Sequence, residues 1–145
     1  SAVPDSSRRA LTEHIPNTYV PARNTIFLSF ALSCAEATRA SAIYIGAHAQ
    51  DYSGYPDCRP AYYRAFNRVM RAGTKAGVEG RSIQLKTPLI DLDKAGIIRL
   101  GVQLGVPFDL TWSCYRGGAK PCGTCDSCYY RARGFRSVGL KDPIL

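Results

Sequence analysis

The sequence predicts an α/β fold built on a parallel sheet, ending in a small cysteine-rich knot. Three observations carry this. Ser41-Ala42-Ile43-Tyr44-Ile45-Gly46 is a short run that is apolar on both faces, the pattern of a central parallel strand covered on both sides. Helix and strand patterns alternate around it, as a parallel sheet with crossover helices requires. Residues 114–128 then gather four cysteines in the spacing C-x7-C-x2-C-x2-C.

Residues 1–18, with Pro4, Asp5, Ser6, Ser7 and Pro16, show little periodicity and read as a lead-in loop. A short helical turn is expected around residues 8–13, and His14 is read as a surface residue. Residues 18–24 form an extended piece entering a helix that Asn24 can cap with its side-chain oxygen. Capping explains Asn24 as readily as a nucleotide contact does. From 26 to 37 nearly every residue is apolar or small, so this helix is expected to be buried almost all round, with Cys34 in the core. Residues 47–60 make a long polar and aromatic loop past the carboxyl end of the first strand, where open α/β sheets bind ligands. A second helix runs from residue 62 to 72 or beyond. Tyr62, Ala65, Phe66, Val69 and Met70 mark its apolar side, while Arg64, Arg68, Arg71 and Lys75 recur on another. That cationic stripe is read as a solvated face, with an RNA or phosphate contact as its functional alternative. Gly73, Gly77 and Gly80 loosen the next connection. Residues 82–89 are a second strand ended by Pro88, and Asp91 or Asp93 caps a third helix that Gly105 stops. Beyond Cys128 lies a basic segment with Arg131, Arg133 and Arg136. Two such strands leave both outer edges open, so further strands are expected from an upstream segment or another chain.

Thiolates two residues apart wrap one tetrahedral ion, with Zn–S distances of about 2.3 Å. Gly123 lets the backbone turn between the second and third of them. Two disulfides would suit a small secreted scaffold, but no signal peptide is visible and the α/β pattern is that of a cytosolic protein. An iron–sulfur cluster is the stronger rival, since four thiolates hold one as well. Ligand number and spacing favour zinc on Cys114, Cys122, Cys125 and Cys128. With every position taken by sulfur, the ion is structural.

A chain of 145 residues suffices for one domain with a real core, and its 46% hydrophobic and 21% charged residues are ordinary for a folded protein. The apolar stretches are too short and interrupted to span a bilayer. Nineteen basic against eleven acidic residues give +8, which favours anionic partners without choosing among nucleotides, phosphates and RNA. Fourteen of those cations are arginine, suited to planar, bidentate anion recognition. The chain starts Ser1-Ala2 and Met70 is its one methionine, so processing or a longer polypeptide is expected.

Three stretches together resemble one family: Tyr19-Val20-Pro21-Ala22-Arg23-Asn24, Asp51-Tyr52-Ser53-Gly54-Tyr55-Pro56-Asp57-Cys58-Arg59, and residues 111–128 with Arg131 and Gly134-Phe135. The chain resembles the 7-cyano-7-deazaguanine synthase family of the queuosine pathway over nearly its whole length. The resemblance implies an adenine nucleotide alpha-hydrolase-like (Rossmann-like) doubly wound parallel sheet with a four-cysteine zinc site. Residues 1–110 would be the C-terminal portion of the nucleotide- and substrate-binding domain, and 111–145 the zinc-binding subdomain. It implies a ligase that joins 7-carboxy-7-deazaguanine to ammonia at the expense of ATP, with Mg2+ accompanying the nucleotide. The carboxylate is activated as an acyl-adenylate, ammonia gives an amide, and a second activation dehydrates it to the nitrile, preQ0. A cytoplasmic homodimer serving tRNA modification, with no membrane contact, is implied too. One motif departs. The family's N-terminal Ser-Gly-Gly-x-Asp-Ser phosphate loop has no counterpart, because Ser53-Gly54-Tyr55 is a different motif in a different place. The resemblance thus covers the family's C-terminal two-thirds, and this chain alone is expected not to hydrolyse ATP without an N-terminal segment or partner chain.

Within that frame, Arg23 and Arg59 suit the substrate carboxylate or adenylate phosphate through parallel N–H contacts. Asp51 and Asp57 suit the N1–H and exocyclic amine of a guanine-like edge. Tyr52 and Tyr55 suit stacking on the ring, Ser53 lies between them, and Asn24 is the candidate nucleotide contact. A structural ion pair between Asp57 and Arg59 is the plain alternative. Cys58 has no identifiable base beside it and reads as packed; His48 is read as a proton-transfer aid or a hydrogen-bonded structural residue. The rival from another class is a zinc-knuckle RNA-binding module, since Arg116, Lys120, Arg131, Arg133 and Arg136 surround the knot. Nucleic acid is the less favoured partner, because only Tyr115, Tyr129 and Tyr130 offer stacking surfaces there. A related carboxylate-activating enzyme of the same fold with another substrate, such as one that modifies a partner protein, is the further alternative, and the aromatic-acidic loop favours the deazapurine over it.

Overall fold

The computed structural model describes residues 15, 18–49, 51 and 54–145. The expected turn around residues 8–13, His14, Tyr52 and Ser53 lie outside the described residues. Two compact units emerge, Glu13–Asp91 in one and Leu92–Leu145 in the other.

In the first unit, β1 (Ala42–Tyr44) pairs in parallel with β2 (Gln84–Lys86), with Ile43 opposite Leu85. The expected parallel pairing is present, and among the described residues the sheet has these two strands. β1 is covered on one face only: Ile43 is buried while Tyr44 is 66% exposed. The period-2 alternation of a strand sends these neighbours to opposite faces, and nothing among the described residues covers the second.

α1 (Arg23–Ala37) departs from expectation in two ways. It buries Asn24, Leu28 and Ala35, whereas Phe27 and Phe30 are 61% and 74% exposed and Cys34 is exposed rather than in the core. An apolar composition all round therefore meets a partner on one side only. Nor does Asn24 cap the helix. Ala22, held at φ 53, occupies that position, and Asn24 is already inside the first turn. The entry is fixed instead by its own motif: the Ala22 N–H donates to the Tyr19 hydroxyl (3.1 Å) and the Arg23 N–H to the Val20 carbonyl (3.2 Å).

α2 (Pro60–Gly73) begins on Pro60, whose missing N–H costs nothing at the first helical position. Its buried residues are Tyr63, Phe66 and Met70; Val69, expected on the apolar side, is exposed. The following connection is pinned, not loosened by its glycines. Thr74 Oγ1 donates to the Met70 carbonyl (2.7 Å) and accepts from the Gly77 N–H (2.9 Å), starting the short α3 (Lys75–Val78). The Glu36 carboxylate accepts the Ala76 N–H at 2.8 Å. Leu28, Ile43, Cys58, Tyr63, Phe66, Met70 and Ile83 make the core of this unit.

In the second unit, α4 (Lys94–Gln103) is capped by Asp93, not Asp91: its Oδ1 accepts the Gly96 N–H at 2.7 Å. Gly105, at φ 67, ends the chain's helical course as expected. A 3-10 turn at Phe108–Leu110 leads to the cysteines. The basic segment beyond them is a helix, α5 (Asp126–Ser137), which opens on the acidic Asp126. Gly134 is where α5 meets α4; a Cβ there would lie 2.8 Å from Ile98 Cδ1 and 2.9 Å from Lys94 Cβ. Phe108 and Phe135 pack edge to face with centroids 5.1 Å apart.

Candidate functional site

The first candidate centre is the cysteine cluster. All six cysteines of the chain are free thiols, so the disulfide alternative does not hold. Gly123 turns the backbone at φ 72, bringing Cys122 and Cys125 together, and the start of α5 adds Cys128. The sulfurs of Cys114, Cys122, Cys125 and Cys128 all lie within 4.8 Å of one another, with Cys122 and Cys128 4.0 Å apart. Tetrahedral Zn–S bonds of about 2.3 Å require S–S separations of roughly 3.8 Å, so the group fits one ion held by four thiolates.

Backbone amides are aimed at these sulfurs. The N–H groups of Arg116 and Cys122 donate to Cys114 Sγ, and that of Cys125 to Cys122 Sγ, each at 3.4 Å. Those bonds favour the thiolates: the pKa of Cys114 is lowered by the Cys122 and Arg116 amides, and that of Cys122 falls to about 6 through the Cys125 amide. Burial acts oppositely on Cys128 and pushes it up to about 12. A bound cation reverses that penalty, because it replaces the lost hydration of a buried thiolate.

Arg131, one of the cations the sequence places around the knot, is not available to a ligand. It is buried and gives Nε to Asp142 Oδ2 (2.7 Å), Nη2 to Asp142 Oδ1 (2.9 Å), and its remaining donors to Thr111 and to the Phe108 carbonyl. It clamps the C-terminal tail to the approach segment of the first cysteine.

The second candidate centre lies at the start of α1, in the other unit. Here Asp57, thirty-three positions away, does the capping that Asn24 does not: its Oδ2 accepts the Asn24 backbone N–H at 2.9 Å. The Asn24 side chain returns the contact, donating to the Asp57 carbonyl (3.0 Å) and to Cys58 Sγ (3.2 Å). The alternative of an Asp57–Arg59 ion pair gives way to an Asp57–Asn24 lock, in which both residues are buried while Arg23 and Arg59 are exposed. Asp51 is engaged by His48, with its Oδ2 3.4 Å from Nε2 and accepting the His48 N–H at 3.2 Å. The Tyr55 hydroxyl meets Thr18 Oγ1 at 2.7 Å.

Cys58 sits at the middle of this cluster and is 4% exposed. Its thiol is pushed up to about 11, first by burial and then by the charges of Asp51 and Asp57, against the Asn24 hydrogen bond and the Arg23 charge. It is a packed thiol whose burial favours the protonated form. The structure therefore brings Arg23, Asn24, Asp51 and Asp57 around one point. It also adds Tyr63, which the sequence shows only as one aromatic among several. Its hydroxyl is buried with no partner among the described residues. Burial raises its pKa.

Among the described residues, no helix is long and apolar enough to cross a membrane. The family described as queuosine biosynthesis protein QueC matches residues 1–139. The 7-cyano-7-deazaguanine synthase of Trichormus variabilis is 60% identical over 135 residues, which cover 93% of this chain and 60% of that protein. That of Trichodesmium erythraeum is 56% identical over 141 residues, covering 97% and 64%. The Thermoplasma acidophilum protein of the same name is 51% identical over 142 residues, covering 98% and 59%. The chain thus spans 59–64% of the length of these relatives. The RNA-binding alternative is not favoured by these similarities.

Proposed function

The chain belongs to the queuosine biosynthesis protein QueC family, and from that premise we propose that it supplies the substrate-binding and zinc-bearing part of a 7-cyano-7-deazaguanine synthase. The match over residues 1–139 carries this reading, with relatives of that name at 51–60% identity. The reaction is the ATP-dependent conversion of 7-carboxy-7-deazaguanine and ammonia to 7-cyano-7-deazaguanine through an acyl-adenylate and an amide. The fold in which it occurs is the doubly wound adenine nucleotide alpha-hydrolase-like sheet, with residues 1–110 in the substrate portion and 111–145 in the zinc subdomain.

The local chemistry supports specific roles. Arg23 and Arg59 keep exposed guanidinium groups, which suits them to pair with a carboxylate or phosphate. Asp57 uses Oδ2 on the Asn24 amide, which leaves its other oxygen for an exocyclic amine; Asp51, oriented by His48, suits the ring N–H. Tyr55 is the described stacking candidate, with Tyr52 and Ser53 in the same motif. Asn24 serves the site through Asp57 and Cys58, as a positioning residue. The four thiolates hold zinc, which when bound folds the knot and enters no chemical step. ATP and Mg2+ are held with an N-terminal segment or partner chain that brings the phosphate loop, in a cytoplasmic homodimer.

The test is product formation. The chain is mixed with the complementing N-terminal segment, ATP, Mg2+, ammonium and 7-carboxy-7-deazaguanine, and the nitrile is sought by mass spectrometry. Nitrile from the mixture, and none from the chain alone, is the expected result. Binding of the deazaguanine too weak to detect by calorimetry, together with no product from the mixture, would sink the assignment.

A further inference from the structure

Away from the loop cluster, the first unit carries a second polar concavity. Arg64, Arg68 and Arg71 on α2, with Asn67, line a cavity of about 380 Å³ whose other wall is the chain from Ser82 to Lys86, while the Lys86 ammonium itself lies over the Tyr44 ring, 5.8 Å from its centroid. Among the described residues no carboxylate lines it, and α2 contains none at all. Glu79, the acidic residue nearest in sequence, is taken by Lys75 and Arg81. Like charges four residues apart on a helix repel one another, and the helix dipole compensates only Arg71, in the last turn. An anion seated between these arginines would offset their mutual repulsion.

The strand contributes as well. The Gln84 N–H and the Lys86 carbonyl are spent toward β1, on Ser41 and Ile45 at 2.9 and 3.0 Å. Strand alternation therefore turns the Leu85 amide to the opposite edge, where Leu85 lines the same cavity. Arg64 and Arg71 are about 10 Å apart along the helix axis, so the charge is spread as a line, not a point. The lining residues include no aromatic ring on which a base could stack.

We propose that this groove between α2 and the outer edge of β2 binds a run of phosphates, contacted through their oxygens alone. The site is separate from the synthase reading and needs no turnover to detect. Two sources share this chemistry, a free oligophosphate and the backbone of a single-stranded nucleic acid.

Calorimetry on the metal-loaded full chain with sodium tripolyphosphate, and anisotropy with a short labelled oligouridylate, would be run at about 50 mM and about 200 mM salt. Two variants of equal charge are compared: Arg68→Gln/Arg71→Gln in the groove, and Arg133→Gln/Arg136→Gln on the exposed side of α5. All four arginines are exposed, so both variants should melt like the parent. The groove variant should bind about tenfold more weakly while the α5 variant binds like the parent. Tighter binding of tripolyphosphate would identify a free oligophosphate as the source, and tighter binding of the oligouridylate through the same arginines a nucleic-acid backbone. Equal weakening in both variants would reduce the effect to net charge and overturn the site. So would the absence of binding to either probe at the lower salt.

Discussion

Asp57 and Cys58 show how single groups hold the loop against α1. The Asp57 carboxylate satisfies a buried amide at the start of a helix that has no local cap, and its removal leaves the Asn24 N–H without an acceptor. Asp57→Ala is expected to destabilise the chain by about 1–3 kcal/mol in urea unfolding, more than an exposed Asp91→Ala change. Cys58 gives a pH signature. Its thiol titrates near 9.0 when unfolded and at about 11 when folded, so between those values the folded chain holds the extra proton. Stability from this group is full below pH 9 and is lost as the pH rises toward 11, by about 2–3 kcal/mol. Cys58→Ala should remove that part of the decline, and parallel pH profiles for parent and variant would contradict the assignment. Neither interaction is legible in the sequence, where Asn24 reads as a cap or a nucleotide contact and Asp57 as an acceptor for a guanine-like edge, with an Arg59 ion pair as the alternative. The capping and ion-pair readings assume local partners, and the real ones are thirty-three positions apart.

Elements follow local rules where the deciding contacts are local. Asp93 caps α4, Gly105 closes it and Gly123 turns the cysteine loop, all on residues that sequence alone singles out, while Pro60 opens α2 two residues before the expected start. α5 is the element that escaped. Its twelve residues include three arginines, two tyrosines and a glycine, so neither apolar periodicity nor propensity marks it. What fixes it is packing: Gly134 admits Lys94 and Ile98 at distances no Cβ allows, and Arg131 spends its donors on Asp142, Thr111 and Phe108. Gly134→Ala should therefore cost roughly 1–3 kcal/mol by overpacking, despite the better helix propensity of alanine. Gain of stability in thermal melting would show that α4 and α5 do not approach this closely. α1 errs the other way. Its apolar residues predict burial on every side, but Ile26, Phe27 and Phe30 stay exposed because burial needs a covering layer and the described residues supply one for a single face.

For the whole molecule, the proposed zinc is the quantity that would couple chemistry to folding. A structural zinc held as proposed contributes on the order of 10 kcal/mol to a small four-thiolate unit, so complete chelation is expected to abolish cooperative melting of the Leu92–Leu145 unit and its amide protection in α5. Hydrogen exchange with and without chelator reads this directly, and unchanged protection of α5 would contradict it. What the sequence determined by itself is whatever depends on short spacing or on a shared motif. The four-cysteine cluster, the parallel strand–helix–strand order and the family all belong here, because each is written in residues close together or in a run matched along the chain. Tertiary structure alone decided which face of α1 is covered, that Asp57 caps it, that Arg131 is a clamp rather than a surface cation, and that three arginines line one groove with the edge of β2. Those facts depend on which distant segments meet, and burial and hydrogen bonding are properties of the meeting, which no single stretch of chain contains.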